Sequence, residues 1–133
     1  MSMNDYRIAI VDDDESMREA AINLFRSMGF TAAAFASAED FLSSDQVEGT
    51  SCLVLDVQMP GMGGLKLQEH LTATGRRIPI VFITAYPDEG VRTAAIRSGA
   101  ICFLAKPFNE DDLLDGLRTA LTPDTDHRPK DNP

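Results

Sequence analysis

Ser51-Cys52-Leu53-Val54-Leu55-Asp56-Val57-Gln58-Met59-Pro60-Gly61 decides how this chain folds. Its apolar run delivers one carboxylate, Asp56, and a Pro-Gly pair soon breaks the extension. A short apolar run bounded by a turn reads as a buried strand. A buried strand that carries an acid to its carboxyl end is how an open α/β sheet builds a site.

Upstream, residues 6–11 read as a second such strand, followed by Asp12-Asp13-Asp14-Glu15. Met17, Ala20, Ala21, Leu24, Phe25 and Met28 then recur on one helical stripe. Asp14 suits the N-cap of that helix, and Gly29 suits its left-handed end. Residues 31–35 are a weak strand, since their alanines would suit a helix as well. Residues 37–42 are a short helix capped by Ser37, and residues 44–50 a polar loop.

Downstream of Asp56, residues 60–64 make a turn and residues 65–72 a helix with Leu67 and Leu71 inward. Residues 80–84 form a strand ending in Thr84, and residues 85–90 a loop. Val91, Ala94 and Ala95 mark a helix closed by Gly99, and residues 100–104 a last strand broken by Lys106-Pro107. Pro107 fits a tight turn, in which a cis bond is an option. Asn109 caps the final helix, whose stripe is Leu113, Leu114, Leu117, Ala120 and Leu121. From Thr122 to Pro133 no large apolar residue occurs, so this stretch reads as a polar tail or the start of an interdomain linker.

Five β-α units with nearly continuous apolar strands imply an α/β fold: a doubly wound, five-stranded parallel sheet with helices on both faces. The expected strand order is 2-1-3-4-5, flavodoxin-like, with a switch point between strands one and three.

At 133 residues the chain is sized for one domain, with about two-thirds of its unfolded surface to bury. Its net charge of -9 argues against gripping nucleic acid or an anionic membrane by itself. Cys52 and Cys102 sit inside apolar runs and read as buried free thiols of a reducing compartment. With His70 and His127 far apart, they make no zinc pattern. No run approaches the ~20 apolar residues of a membrane span, and residues 1–5 have no signal-peptide character. A cytoplasmic location is expected.

Neighbouring strands lie about 4.8 Å apart, so Asp12, Asp13 and Asp56 would share one small volume. Carboxylates that close need raised pKa values or a cation. Hard oxygen donors without His or Cys favour Mg²⁺. Helix-end complementation is enough to explain Asp14 and Glu15, but it does not explain Asp56. A carboxylate can attack a phosphoryl group if cationic and hydrogen-bonding partners offset the repulsion. Thr84 and Lys106 end the next two strands and can supply those partners.

These residues together resemble the receiver domain of two-component response regulators. The likeness covers about residues 6–121. It rests on Val11-Asp12-Asp13-Asp14, Leu53-Val54-Leu55-Asp56-Val57-Gln58-Met59-Pro60-Gly61, Ile83-Thr84-Ala85 and Lys106-Pro107-Phe108. The wording also resembles the subgroup often linked to helix-turn-helix output domains. The resemblance implies a receiver domain over 1–121 and a tail or linker over 122–133. It implies that Asp56 takes a phosphoryl group from a sensor histidine kinase or a small phosphodonor. Asp13, Asp56 and the Gln58 backbone carbonyl would ligate Mg²⁺, with Asp12 acting partly through water. Thr84 and Lys106 would bind phosphoryl oxygens, and Phe103 would be the switch aromatic. Gln58 and Tyr86 stand where the family tunes hydrolysis. Such a chain is a switch that supports its own phosphotransfer and dephosphorylation, not an enzyme with an outside substrate. Its output passes to a downstream protein or a C-terminal DNA-binding domain. The fourth helix, fifth strand and last helix would be the switching surface and the interface of a phosphorylation-dependent homodimer.

Three other readings are weaker. A haloacid-dehalogenase-type enzyme needs a second acid two residues after the nucleophile, where this chain has Gln58. A flavodoxin-like electron carrier needs a Ser/Thr/Gly phosphate loop where this chain has Asp12-Asp13-Asp14-Glu15. A degenerate receiver that only binds proteins would not need the full acid, Thr and Lys set.

Overall fold

The computed structural model describes residues 5–122. The tail expectation for 123–133 and the signal-peptide argument for the first four residues lie outside the described residues. Five parallel strands, β1 (Arg7–Val11), β2 (Thr31–Phe35), β3 (Cys52–Asp56), β4 (Ile80–Thr84) and β5 (Cys102–Ala105), form one sheet in the order β2-β1-β3-β4-β5. The expected fold is therefore the observed one. Five helices connect them: α1 (Glu15–Ser27), α2 (Ala38–Ser43), α3 (Gly64–Ala73), α4 (Glu89–Arg97) and α5 (Glu110–Leu121).

Side chains alternate across a strand, so each strand feeds both faces of the sheet. Ala9, Val11, Leu53, Leu55 and Phe82 pack with Phe41 of α2, Leu67 and Leu71 of α3 and Ala95 of α4. Ile8, Ile10, Cys52, Val54, Val81 and Ile83 pack with Ala21 and Phe25 of α1 and Leu113, Leu117 and Ala120 of α5. Burial of β3 and β4 on both faces explains why their sequences show no polar alternation.

Local chemistry sets the element ends. Asp14 Oδ1 accepts Ser16 N–H and Met17 N–H, Ser37 Oγ accepts Asp40 N–H, and Asn109 Oδ1 accepts Asp112 N–H. Gly29 ends α1 at φ 93°, as its place in the sequence predicts. β2 is a strand despite its alanines, because Thr31–Phe35 pairs along the open edge of β1. The polar loop holds one 3-10 turn, Val47–Gly49. α4 begins inside the expected loop of residues 85–90, since Asp88 Oδ1 accepts Val91 N–H and caps it. Among the described residues, no helix is long and apolar enough to cross a membrane.

Candidate phosphoacceptor site

Register places the acids. Val11 of β1 pairs with Leu55 of β3, so Asp12 and Asp56 come next at the same edge. Asp56 pairs with Ile83, and Thr84 pairs with Ala105, so Thr84 and Lys106 stand at the same carboxyl edge. Asp12, Asp56, Thr84 and Lys106 are thus brought to one end of the sheet, whereas Phe103 lies further inside it, paired with Phe82. Asp12, Asp56 and Thr84 are buried, whereas Asp13 and Gln58 are exposed. Phe103 is half-buried, with its ring centroid 6.3 Å from that of Phe82.

The hydrogen bonds divide the site in two. Asp12 Oδ1 accepts Asp14 N–H at 2.9 Å, and Asp56 Oδ1 accepts Gln58 N–H at 3.3 Å. The Lys106 ammonium spans the strand spacing and reaches both acids, at 3.0 Å from Asp12 Oδ2 and 3.7 Å from Asp56 Oδ2. The shorter contact is an ion pair rather than a directed hydrogen bond, so Asp12 Oδ2 is buried without a hydrogen-bond partner. Thr84 makes no such contact with Asp56. Strand alternation sends Asp56 to the α1/α5 side, with Val54, and Thr84 to the other side, with Phe82. There Thr84 Oγ1 donates to Gln58 Oε1 at 2.6 Å and accepts Tyr86 N–H at 3.0 Å. The Lys106–Pro107 bond is cis.

Electrostatics follow from this crowding. Burial, and then the negative charge of Asp12, push the Asp56 carboxyl up to about 7; Lys106 offsets only part of that. For Lys106, burial disfavours the ammonium, but Asp12, Asp56 and Asp14 outweigh burial and hold its pKa above the ordinary lysine value. One carboxylate oxygen from each of Asp12, Asp13 and Asp56 lies within 4.8 Å of the others. An all-oxygen acidic group, with one buried oxygen short of a hydrogen bond, fits a small hard dication.

Two contacts at this edge were not singled out from the sequence. Arg18 Nη1 donates to the Asp12 carbonyl oxygen at 2.8 Å, and Glu39 Oε2 of α2 accepts Met62 N–H at 3.0 Å. Arg18 lies one helical turn beyond the Asp14 cap, a spacing that could have flagged it. Glu39 is distant in sequence from Met62, and no local pattern links them.

A family model described as the response regulator receiver domain matches residues 8–118. The chain belongs to this family. The receiver is 44% identical over 121 residues to nodulation protein W of Bradyrhizobium diazoefficiens, covering 91% of this chain and 53% of that protein. It is 46% identical over 121 residues to response regulator protein TmoT of Ectopseudomonas mendocina, covering 90% and 55%. Among solved structures, response regulator StyR superposes with a TM-score of 0.82 at 49% identity, covering 88% of the receiver and 59% of that chain. FixJ-N gives 0.79 at 31% identity, covering 90% and 95%. The receiver spans about half the length of the curated relatives it matches. Phosphorylation on an aspartate and Mg²⁺ binding are general properties of this family.

Proposed function

We propose that this receiver takes a phosphoryl group on Asp56 from a phosphohistidine of a sensor histidine kinase, or from a small phosphodonor. The observation that carries this reading is the ammonium of Lys106 bridging two buried acids at the carboxyl edge of the sheet. A half-buried lysine held between carboxylates is preorganised to meet the oxygens of an incoming phosphoryl group.

Asp56 attacks phosphorus through a carboxylate oxygen. The phosphorus–nitrogen bond to the donor imidazole breaks, and that nitrogen keeps the electron pair. Asp56 must be ionised to attack, and its raised pKa places that ionisation near neutrality. Lys106 then moves its contact from carboxylate to phosphoryl oxygen, and the Thr84 hydroxyl supplies a second donor. Asp13, Asp56 and the Gln58 carbonyl would hold Mg²⁺, with Asp12 assisting through water, and the metal when bound supplies positive charge between the two anions. Phe103 would follow Thr84 and turn inward. The chain thereby acts as a cytoplasmic switch, not an enzyme on an outside substrate, and it supports its own dephosphorylation.

We assign the receiver to 1–121 and a polar tail or linker to 122–133. The half-length coverage of the relatives supports an output that lies in a further domain or a separate protein. Helix α4, strand β5 and helix α5 would present the switched surface, including a phosphorylation-dependent homodimer.

The test uses acetyl phosphate or phosphoramidate with Mg²⁺. Intact-mass spectrometry should show one added phosphoryl group on the wild type and none on Asp56→Asn. Persistent labelling of Asp56→Asn would move the acceptor elsewhere.

A further inference from the structure

The hydroxyl of Thr84 is already committed. Its proton goes to Gln58 Oε1 at 2.6 Å, and its lone pair takes Tyr86 N–H at 3.0 Å. The backbone N–H of Gln58 in turn meets Asp56 Oδ1 at 3.3 Å. A single chain of hydrogen bonds therefore runs from the acceptor carboxylate, through Gln58 and Thr84, to the loop that leads into α4. Gln58 is an exposed residue, so no burial forces its side chain over the sheet edge. Fixing an exposed glutamine costs rotamer freedom, and the short hydrogen bond to Thr84 is what compensates it.

This geometry opposes the switch proposed above, on which the inference rests. Thr84 leaves the sheet on the face away from Asp56, and its only proton already has an acceptor. To donate to a phosphoryl oxygen, Thr84 must first give up Gln58. We propose that the Gln58 side chain is a latch: a positioning residue that holds Thr84, and with it the Tyr86 amide, in the unphosphorylated arrangement. Phosphorylation then exchanges one acceptor of the Thr84 proton for another. The net gain is smaller than a new charge-assisted hydrogen bond alone would supply. Removing the amide acceptor removes that opposition and biases the site towards the phosphorylated arrangement.

Beryllofluoride with Mg²⁺, a noncovalent stand-in for the phosphoryl group, tests this by NMR titration. Gln58→Met keeps the side-chain length and removes the acceptor. It should bind beryllofluoride about two- to tenfold tighter than the wild type, the range of one neutral hydrogen bond. In a Thr84→Ala background the same substitution should change nothing, because the latch has no bolt to hold. No gain in the wild-type background overturns the latch. So does a gain of equal size in Thr84→Ala, since that would act through the Gln58 backbone or the metal. A second readout needs no phosphoryl analogue. In the metal-free protein, Gln58→Met should shift the Tyr86 amide and Thr84 methyl resonances, and unmoved resonances overturn the latch. If the wild type takes up no beryllofluoride, the acceptor role of Asp56 falls, and these resonances still decide the latch.

Discussion

Lys106 Nζ lies closer to Asp12 Oδ2, at 3.0 Å, than to Asp56 Oδ2, at 3.7 Å. The resting partner of the lysine is therefore not the proposed acceptor but the acid beside it. Asp12 is fully buried and its Oδ2 has no hydrogen bond, so Lys106 is its main compensation. Lys106→Met should destabilise the metal-free protein by about 1–3 kcal/mol at pH 8. This lies below the about 3–5 kcal/mol for removing one partner of a fully buried pair, since the lysine is partly exposed. Adding Asp12→Asn should restore most of that loss, because the uncompensated charge is gone. Urea unfolding of the two variants and wild type measures this. A single-variant loss below about 0.5 kcal/mol would show that water, not Lys106, supports Asp12.

Asp56 makes the metal-free fold sensitive to pH. Its folded pKa, about 7, lies above the ordinary value of 3.8. Between these values the folded protein holds a proton that the unfolded chain has lost. Stability should therefore fall as pH rises from about 4 to about 7, and then level off with respect to this group. The expected share of Asp56 is about 1–2 kcal/mol, discounted for water at the mouth of the site. Asp56→Asn should lose that pH dependence and be the more stable protein at pH 8. Equal slopes for wild type and Asp56→Asn between pH 4.5 and 8 would remove Asp56 as the cause. Carbon-13 NMR of the Asp56 carboxyl gives the midpoint directly.

The same repulsion should be relieved by Mg²⁺. At pH 8 and a hundredfold excess over its dissociation constant, the ion should stabilise the wild type by about 2.7 kcal/mol. Asp13→Ala and Asp56→Asn should each lose most of this, because both acids belong to the clustered oxygens. Below about pH 7 a proton competes for Asp56, so affinity should weaken by roughly tenfold per pH unit. Thermal melts with Mg²⁺ and with EDTA at pH 8 and pH 6 check both statements. A shift that survives in Asp13→Ala would place the ion elsewhere.

The strands and their order could be read from the sequence because burial on both faces leaves apolar runs that few other arrangements produce. Asp12, Asp56, Thr84 and Lys106 were placed by the ends of those runs, and register alone brings them together. The start of α4 was missed because Pro87 and Gly90 look like loop residues, whereas the capping carboxylate of Asp88 decides the boundary. β2 was ambiguous because alanine favours helix, and only pairing with β1 resolves it. The partner of Thr84 was illegible for a different reason. Strand parity points the Thr84 side chain away from Asp56, but the acceptor it meets depends on the rotamer of an exposed glutamine, which no sequence pattern specifies.

Gly64 gives the sharpest test of how the fold holds Asp56, the proposed acceptor. It is the first residue of α3, and a Cβ built there runs into the carbonyl oxygen of Asp56 and meets Val57 Cα and Phe82 Cε1 at 3.0 Å. Two of these three are backbone atoms, which cannot swing aside as a side-chain tip can. Gly64→Ala must therefore displace the start of α3 or the end of β3. We expect a loss of about 1–3 kcal/mol from overpacking, larger than any gain in helix propensity at a first-turn position. Because Asp56 itself is displaced, phosphorylation by acetyl phosphate should slow by roughly tenfold or more, even under conditions where the variant is fully folded. Gly49→Ala is the control. Its Cβ would approach only the flexible Arg7 side chain, at 3.4 Å, and should leave stability within about 0.5 kcal/mol and labelling unchanged. Wild-type labelling by folded Gly64→Ala would show that the close approach of α3 supports the fold without positioning the acceptor.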